Sequence, residues 1–100
     1  MSEIVMRRVT VRGRVQGVGF RAYVEDAALL NGVHGWVRNR RDGAVEAVLA
    51  GTPKAVATVI AACRQGPGAA RVDAIDDVPA GPDDLKQRPA GETFAVLPTA

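Results

Sequence analysis

The chain has 100 residues, 47% of them hydrophobic and 24% charged, which predicts one globular domain over residues 1–100 and excludes a disordered chain. No apolar run approaches the roughly 20 residues needed to span a bilayer, and the N-terminus lacks the features of a signal peptide, so a cytoplasmic protein is expected. The net charge is only +2, but the first half is rich in arginine, which is compatible with nucleic acid, a small anionic substrate or solvated strand faces.

The first half of the chain predicts a strand, a helix and a hairpin, in that order. Residues 4–12 place Val5, Val9 and Val11 at a period of two, interrupted by Arg7, which predicts a strand. Residues 21–31 carry apolar side chains on one helical face and are followed by a glycine that is typical of a helix end. Two short strands, 33–39 and 44–50, are joined by a turn containing Asp-Gly, which is a strong hairpin signal because glycine supplies the positive φ.

The second half predicts a helix between strands, then a loop and a last short strand. Thr52 is expected to cap the helix and Gly66-Pro67 to end it. Residues 70–78 are predicted to form a strand. Residues 79–92 hold three prolines and two glycines and are predicted to be a loop, followed by a strand at 93–97.

This order of elements, βαββαβ with a short extra C-terminal strand, predicts an α+β protein of the ferredoxin-like, split βαβ class. The expected architecture is an antiparallel sheet with two helices on one face. That architecture hosts many unrelated activities, so it does not by itself indicate a function.

The segment Val11–Arg21 carries the strongest functional signal. Gly17 and Gly19 allow a tight turn that brings consecutive backbone N–H groups toward one point. The following helix presents its unpaired N–H groups and the positive end of its dipole at that point. Arg21 adds a guanidinium whose donors match the oxygens of a phosphate. These residues predict a small oxyanion site, for phosphate, at the start of the helix.

Two stretches of the chain resemble the signatures of the acylphosphatase family. The first is Val11–Arg21, with Gly13, Val15-Gln16-Gly17-Val18 and Phe20-Arg21. The second is Gly35-Trp36-Val37-Arg38-Asn39, followed by Asp42-Gly43. A lone glycine-rich loop is weak evidence. Two signatures in this order, placed on the predicted elements, are much more specific.

The resemblance implies a hydrolase that cleaves the carboxyl–phosphate bond of acyl phosphates by attack of water, without a metal or a cofactor. It assigns the catalytic roles to Arg21 and Asn39, with Asn39 orienting the water. It assigns phosphate binding to Arg21 and to the backbone of Val15, Gln16, Gly17, Val18, Gly19 and Phe20. It also implies a small-molecule substrate with no nucleic acid or membrane partner, and a monomer is expected.

Other polar residues have plainer interpretations. His34 and Cys63 are the only histidine and the only cysteine, so neither an intramolecular disulfide nor a Cys/His metal site is expected. His34 should face away from Asn39 on the same strand, and Cys63 should be a buried apolar side chain rather than a nucleophile. Gln16 is expected either to touch the ligand or to shape the loop, and Arg38 to lie on a solvated face.

Two other classes of function stay open at this point. A nucleic-acid module of this architecture requires two or three aromatic side chains on its central strands, whereas only Trp36 is placed there. A binding or partner domain would keep the phosphate site without turnover. Salt-sensitive binding to an oligonucleotide would distinguish the nucleic-acid module from an enzyme. Phosphate binding without hydrolysis would distinguish the binding domain from an enzyme.

Overall fold

The computed structural model describes residues 3–100 and contains five strands and three helices. In chain order these are β1 (Val5–Arg14), α1 (Phe20–Leu30), β2 (His34–Asn39), β3 (Val45–Gly51), α2 (Pro53–Gln65), β4 (Arg71–Pro79), α3 (Pro82–Leu85) and β5 (Phe94–Val96). The strands form one sheet in the order β4-β1-β3-β2-β5. The predicted elements are therefore confirmed to within a few residues at their ends.

The sheet is antiparallel in its first four strands and mixed as a whole. β1 pairs antiparallel with both β3 and β4, and β2 pairs antiparallel with β3. β5 instead pairs parallel with β2, placing Phe94 opposite Gly35. The expected antiparallel sheet is thus corrected at its C-terminal edge, because the chain after β4 crosses over before it adds the last strand.

The main core lies between the sheet and the two long helices. Phe20, Val24 and Ala28 form the buried face of α1. The predicted buried face of α2 is also confirmed, and Thr52 Oγ1 accepts a hydrogen bond from Ala55 N at 3.2 Å as its cap. These side chains pack on Val9, Val11, Val37, Val45, Ala47 and Leu49 of the three central strands.

The segment 79–92 covers the other face of the sheet. It contains the short helix α3, so the prediction that it is entirely loop was wrong. Leu85 packs on Trp36, which is fully buried and donates from Nε1 to the backbone oxygen of Asp84 at 2.6 Å. The helix has only four residues, so its sequence pattern is too short to predict it. It is stabilised by packing of Leu85 on the apolar face of the sheet.

A buried carboxylate, Glu46, organises the charges on this second face. Its side chain accepts hydrogen bonds from Arg8 and, at 2.9 Å, from Arg38 Nε. The Arg38 guanidinium also lies 4.6 Å from the centre of the Trp36 ring. The expectation that Arg38 lies on a solvated face was therefore wrong, because segment 79–92 covers that face.

The carboxylate of Asp84 also links segment 79–92 to the arginines around Glu46. Its carboxylate accepts a hydrogen bond from Gly81 N at 2.8 Å and another from Arg8. The Gly81 N–H and then the Arg8 guanidinium hold the pKa of Asp84 below its usual range. Segment 79–92 is thus attached to the sheet by polar contacts as well as by Leu85.

The backbone of Gly35 leaves no room for a side chain. Its φ is +144°, and a Cβ built there lies 1.8 Å from the carbonyl oxygen of Val48 on the neighbouring strand. We expect Gly35→Ala to lower the free energy of unfolding by about 3 kcal/mol or more, because the strand pair must separate. Urea unfolding followed by tryptophan fluorescence measures this change.

Two glycines serve as matched controls for this prediction. Gly43 has a φ of +94° but open space around it, so Gly43→Ala carries backbone strain alone, about 1 kcal/mol. Gly68 has open space and no positive φ, so Gly68→Ala should change stability by less than about 0.5 kcal/mol. If Gly35→Ala and Gly43→Ala lower the free energy of unfolding equally, the steric conflict between a Cβ at position 35 and the Val48 carbonyl oxygen is contradicted.

Candidate active site

A cleft of about 320 Å³ lies where β1 leads into α1 and beside the end of β2. Here it is called the α1 cleft. It is open to solvent on one side, and polar and apolar groups both contribute to its walls. Its lining residues are Val15, Gly17, Gly19, Phe20, Arg21, Ala22, Glu25, Asn39 and Val96.

The loop between β1 and α1 has a backbone that requires glycine at two places. Gly17 and Gly19 have φ values of +73° and +80°, in the left-handed region where other residues are strained. Neither has a heavy atom within 4 Å of the place a Cβ would occupy, so backbone conformation rather than crowding selects glycine here. The two turns direct the chain from the sheet straight into α1.

The start of α1 carries unpaired donors on the wall of the α1 cleft. Gly19 is the N-cap residue and, having no side chain, supplies no capping hydrogen bond, and the first turn holds no acidic residue. The first backbone N–H groups of the helix therefore have no partner from a cap. α2 in the same chain is capped by Thr52. The uncapped end, with its partial positive charge, favours an anion in the cleft.

Arg21 lies in this first turn and is half-buried on the cleft wall. Within residues 3–100, no carboxylate lies within 4.0 Å of its guanidinium, whereas Arg7, Arg8, Arg12, Arg38, Arg40 and Arg71 are all paired. An arginine without a carboxylate partner beside unpaired backbone donors is suited to bind a phosphate.

Asn39 is the last residue of β2 and faces the same cleft. Its backbone is held on both sides, by Val45 of β3 and by the 3.1 Å hydrogen bond from Ala100 N to its carbonyl oxygen. Its side-chain amide makes no hydrogen bond to another residue in the described part of the chain, residues 3–100. The amide is therefore available for a water molecule or a ligand.

Gln16 joins the loop to the turn that follows Asn39. Its side-chain Nε2 donates to the carbonyl oxygens of Arg40 at 2.7 Å and Ala44 at 2.9 Å. Of the two roles expected for Gln16, its side chain thus has the loop-shaping one. The hydrogen bonds set the spacing between the loop and the end of β2.

Comparison with known proteins matches these features to a family. The family model described as acylphosphatase matches residues 7–88. The chain belongs to the acylphosphatase family. An acylphosphatase from Rhodopseudomonas palustris (strain BisB18) is 58% identical over 99 residues, and one from Bradyrhizobium diazoefficiens is 56% identical over 99 residues. In both cases the match spans 99% of each chain.

A solved acylphosphatase has the same fold. The crystal structure of the Bacillus subtilis acylphosphatase aligns with a TM-score of 0.79 at 31% identity, over 95% of this chain and 99% of that one. These matches confirm the predicted family, the ferredoxin-like fold and the reaction class, hydrolysis of acyl phosphates. The chain is accordingly an enzyme.

The acylphosphatase signatures account for most of the α1 cleft. Val15, Gly17, Gly19, Phe20, Arg21 and Asn39 were predicted site residues and line it, while Gln16 and Val18 belong to the loop but lie outside the lining. Sequence reasoning missed Ala22, Glu25 and Val96. Glu25 could have been found, since it stands four residues after Arg21 on the same side of α1. Val96 could not, because its position depends on the parallel pairing of β5.

The remaining candidate residues lie away from the α1 cleft. His34 is exposed, on the other face of the sheet, and its ring is 3.3 Å from the Arg88 guanidinium. Asp42 accepts a hydrogen bond from Ala44 N at 3.0 Å and so shapes the hairpin turn. Among residues 3–100, no three His, Cys, Asp or Glu side chains are grouped to hold a metal ion, and no helix there is long and apolar enough to span a membrane.

Cys63 is buried in the core, 1% exposed, as the sequence predicts. Burial raises the pKa of its thiol to about 12. At pH 8 the reactive thiolate is thus about one part in ten thousand. We expect the native protein to resist Ellman's reagent for hours and the guanidinium-denatured protein to react within minutes. Rapid labelling of the native protein contradicts this burial.

Proposed function

We propose that the acylphosphatase reaction takes place in the α1 cleft, with Arg21 and the loop 15–20 holding the phosphate and Asn39 holding the water. The observation that carries this proposal is that an uncapped helix start, an arginine without a carboxylate partner and an amide without a hydrogen-bond partner line one cleft. In the reaction, the water oxygen bonds to phosphorus while the bond from phosphorus to the acyl oxygen breaks. The products are a carboxylate and inorganic phosphate.

The charge that develops on the phosphoryl oxygens needs fixed positive donors. Phosphoryl transfer depends mainly on positioning and on stabilisation of the equatorial oxygens. The Arg21 guanidinium and the backbone N–H groups of the loop and the helix start supply such donors without rearrangement. Arg21 contributes to both binding and rate, because it stabilises the phosphate in the ground state and in the transition state.

Asn39 supplies the geometry of the attack. Its side-chain amide can accept a hydrogen bond from a water molecule through Oδ1 and donate one through Nδ2. Its backbone is held by β3 on one side and by Ala100 on the other, so the amide has little freedom to move away from the phosphate. Such an amide lowers the entropy cost of aligning the water with the leaving group.

The chemistry requires no side-chain acid or base in this cleft. The leaving carboxylate is a weak base that departs without a proton, and a phosphate oxygen of the substrate takes the proton of the water. His34 lies on the opposite face of the sheet and has no part in the reaction. We also propose that the enzyme works as a cytoplasmic monomer, as one domain, without metal or cofactor.

The decisive test is the hydrolysis of benzoyl phosphate by the purified protein in excess EDTA. Turnover at a rate unaffected by EDTA is expected. Binding of inorganic phosphate without turnover would mean that the cleft serves recognition only. Loss of turnover on chelation, restored by a divalent cation, would contradict the metal-free reaction.

Substitutions of Arg21 and Asn39 are expected to affect phosphate binding and catalysis differently. Arg21→Ala should weaken inorganic phosphate as a competitive inhibitor and lower kcat, since it removes a donor used throughout the reaction. Asn39→Ala should keep the phosphate inhibition constant within about twofold and lower kcat about 100-fold or more. Initial rates with inorganic phosphate as inhibitor measure both quantities.

Residues of the same type outside the cleft serve as controls for these two variants. Arg64 is exposed on α2, and the Asn31 amide donates to Ala27 O at 2.8 Å at the far end of α1. Arg64→Ala and Asn31→Ala should both retain wild-type kinetics. If Asn39→Ala keeps full kcat, the water-holding role is wrong.

Gln16 is expected to act through Asn39. Gln16→Met keeps the size of the side chain and removes the two hydrogen bonds to the turn, which should lower kcat about tenfold or more by loosening the spacing to the water. In an Asn39→Ala background the same change should have little further effect. Double-mutant kinetics measure this coupling.

Gln65→Met, at the exposed end of α2, is the matched control and should change nothing. A Gln16→Met variant that loses the same factor in both backgrounds contradicts coupling to Asn39. Unfolding in urea is measured in parallel, since a purely structural role lowers stability without changing kcat at low temperature.

A further inference from the structure

Glu25 places an unpaired carboxylate on the wall of the α1 cleft. It is half-buried and lines the cleft together with Arg21 and Asn39. Among residues 3–100, no lysine, arginine or histidine nitrogen lies within 4.0 Å of its carboxylate, in contrast to Glu46, which has nitrogens of Arg8, Arg38 and Arg40 within that distance. The proposed reaction assigns no role to this carboxylate, because the leaving group departs without a proton.

The position of Glu25 assigns it to the acyl part of the substrate. It follows Arg21 by four residues on one helix, which places their Cα atoms about 6 Å apart along the same side. A phosphate at the start of α1 leaves the acyl group as the only part of the substrate that extends toward Glu25. The exposed side chains of Ala22 and Val96 provide the apolar surface beside that path.

We propose that Glu25 is a specificity-determining residue, which makes the α1 cleft select acyl phosphates with an ammonium on a short hydrocarbon chain. The inference rests on the proposed site of the reaction. An ammonium two or three carbons from the reacting carbonyl reaches the carboxylate, and the methylenes between them contact Ala22 and Val96. A second carboxylate at the same place is repelled by Glu25 and disfavoured.

A role for Glu25 in holding Arg21 is the competing explanation. The two side chains form no ion pair in the structure, and the donors of Arg21 are left for the phosphate. The two explanations predict opposite effects on phosphate affinity. Removal of a partner of Arg21 weakens inorganic phosphate binding, whereas removal of a repulsive charge leaves it equal or stronger.

Three substrates of similar length test the proposal, namely β-alanyl, butyryl and succinyl phosphate. They place a positive, a neutral and a negative group at the end of the acyl chain. For the wild type, kcat/KM at pH 7 should fall in that order. In Glu25→Gln, the ratio of β-alanyl to butyryl phosphate should fall about threefold to tenfold and that of succinyl to butyryl phosphate should rise by a similar factor.

Asp26→Asn is the control for net charge. Asp26 is the next residue of α1, but it is exposed and lies outside the cleft lining. Asp26→Asn therefore removes one negative charge from the same helix without changing the cleft wall. Its substrate ratios should equal those of the wild type. Ratios are compared because both variants alter the general field around the phosphate, which affects all three substrates alike.

The outcomes separate this inference from the proposed function. Turnover of butyryl phosphate with ratios unchanged in Glu25→Gln overturns the role of Glu25 and leaves the proposed site standing. Equal changes in Glu25→Gln and Asp26→Asn, or weaker phosphate inhibition in Glu25→Gln, also overturn it. Absence of turnover of all three substrates by the wild type overturns both proposals.

Discussion

The proposed active site depends on where the sheet places the first turn of α1. β1 lies inside the sheet, paired on both sides, and it ends at the same edge of the sheet as β2, with β3 between them. The loop then turns through two positive-φ glycines, and Phe20 inserts into the core as the first residue of the helix. The burial of Phe20 stabilises the helix start by a few kcal/mol at most, on the scale of one buried aromatic side chain. That packing holds the donors of the helix start in place without a capping side chain.

The alternation of side chains along β2 separates structure from chemistry. Arg38 points to the face covered by segment 79–92, where Glu46 and the Trp36 ring hold it, and Asn39 points into the α1 cleft. One strand therefore provides a rigid anchor and the proposed water-holding amide at consecutive positions. An ion pair between a buried carboxylate and a half-buried arginine adds little net stability, but its geometry restricts the strand register.

Local patterns in the sequence predicted most of the fold and most of the residues that line the proposed phosphate end of the α1 cleft. The period of the apolar residues gives the strands and helices, and the glycines with Arg21 indicate the anion site, since both signals lie within a few consecutive residues. The parallel pairing of β5, the short helix α3 and the covered, half-buried position of Arg38 were not predictable in this way. Each depends on the crossover of segment 79–92 to the second face of the sheet, which leaves no local pattern.

The two ends of the α1 cleft differ in how strongly the fold constrains them. The proposed phosphate end consists of backbone groups, a strand-end amide and Arg21, all held by the loop, the core and the sheet. The proposed acyl end consists of Ala22, Glu25 and Val96, which project from α1 and from an edge strand, where packing does not dictate the side chain. We therefore expect a substitution at the acyl end to alter substrate preference at little cost in stability, and one at the phosphate end to alter the reaction itself. Substrate preference can thus change on this scaffold while the hydrolytic chemistry stays the same.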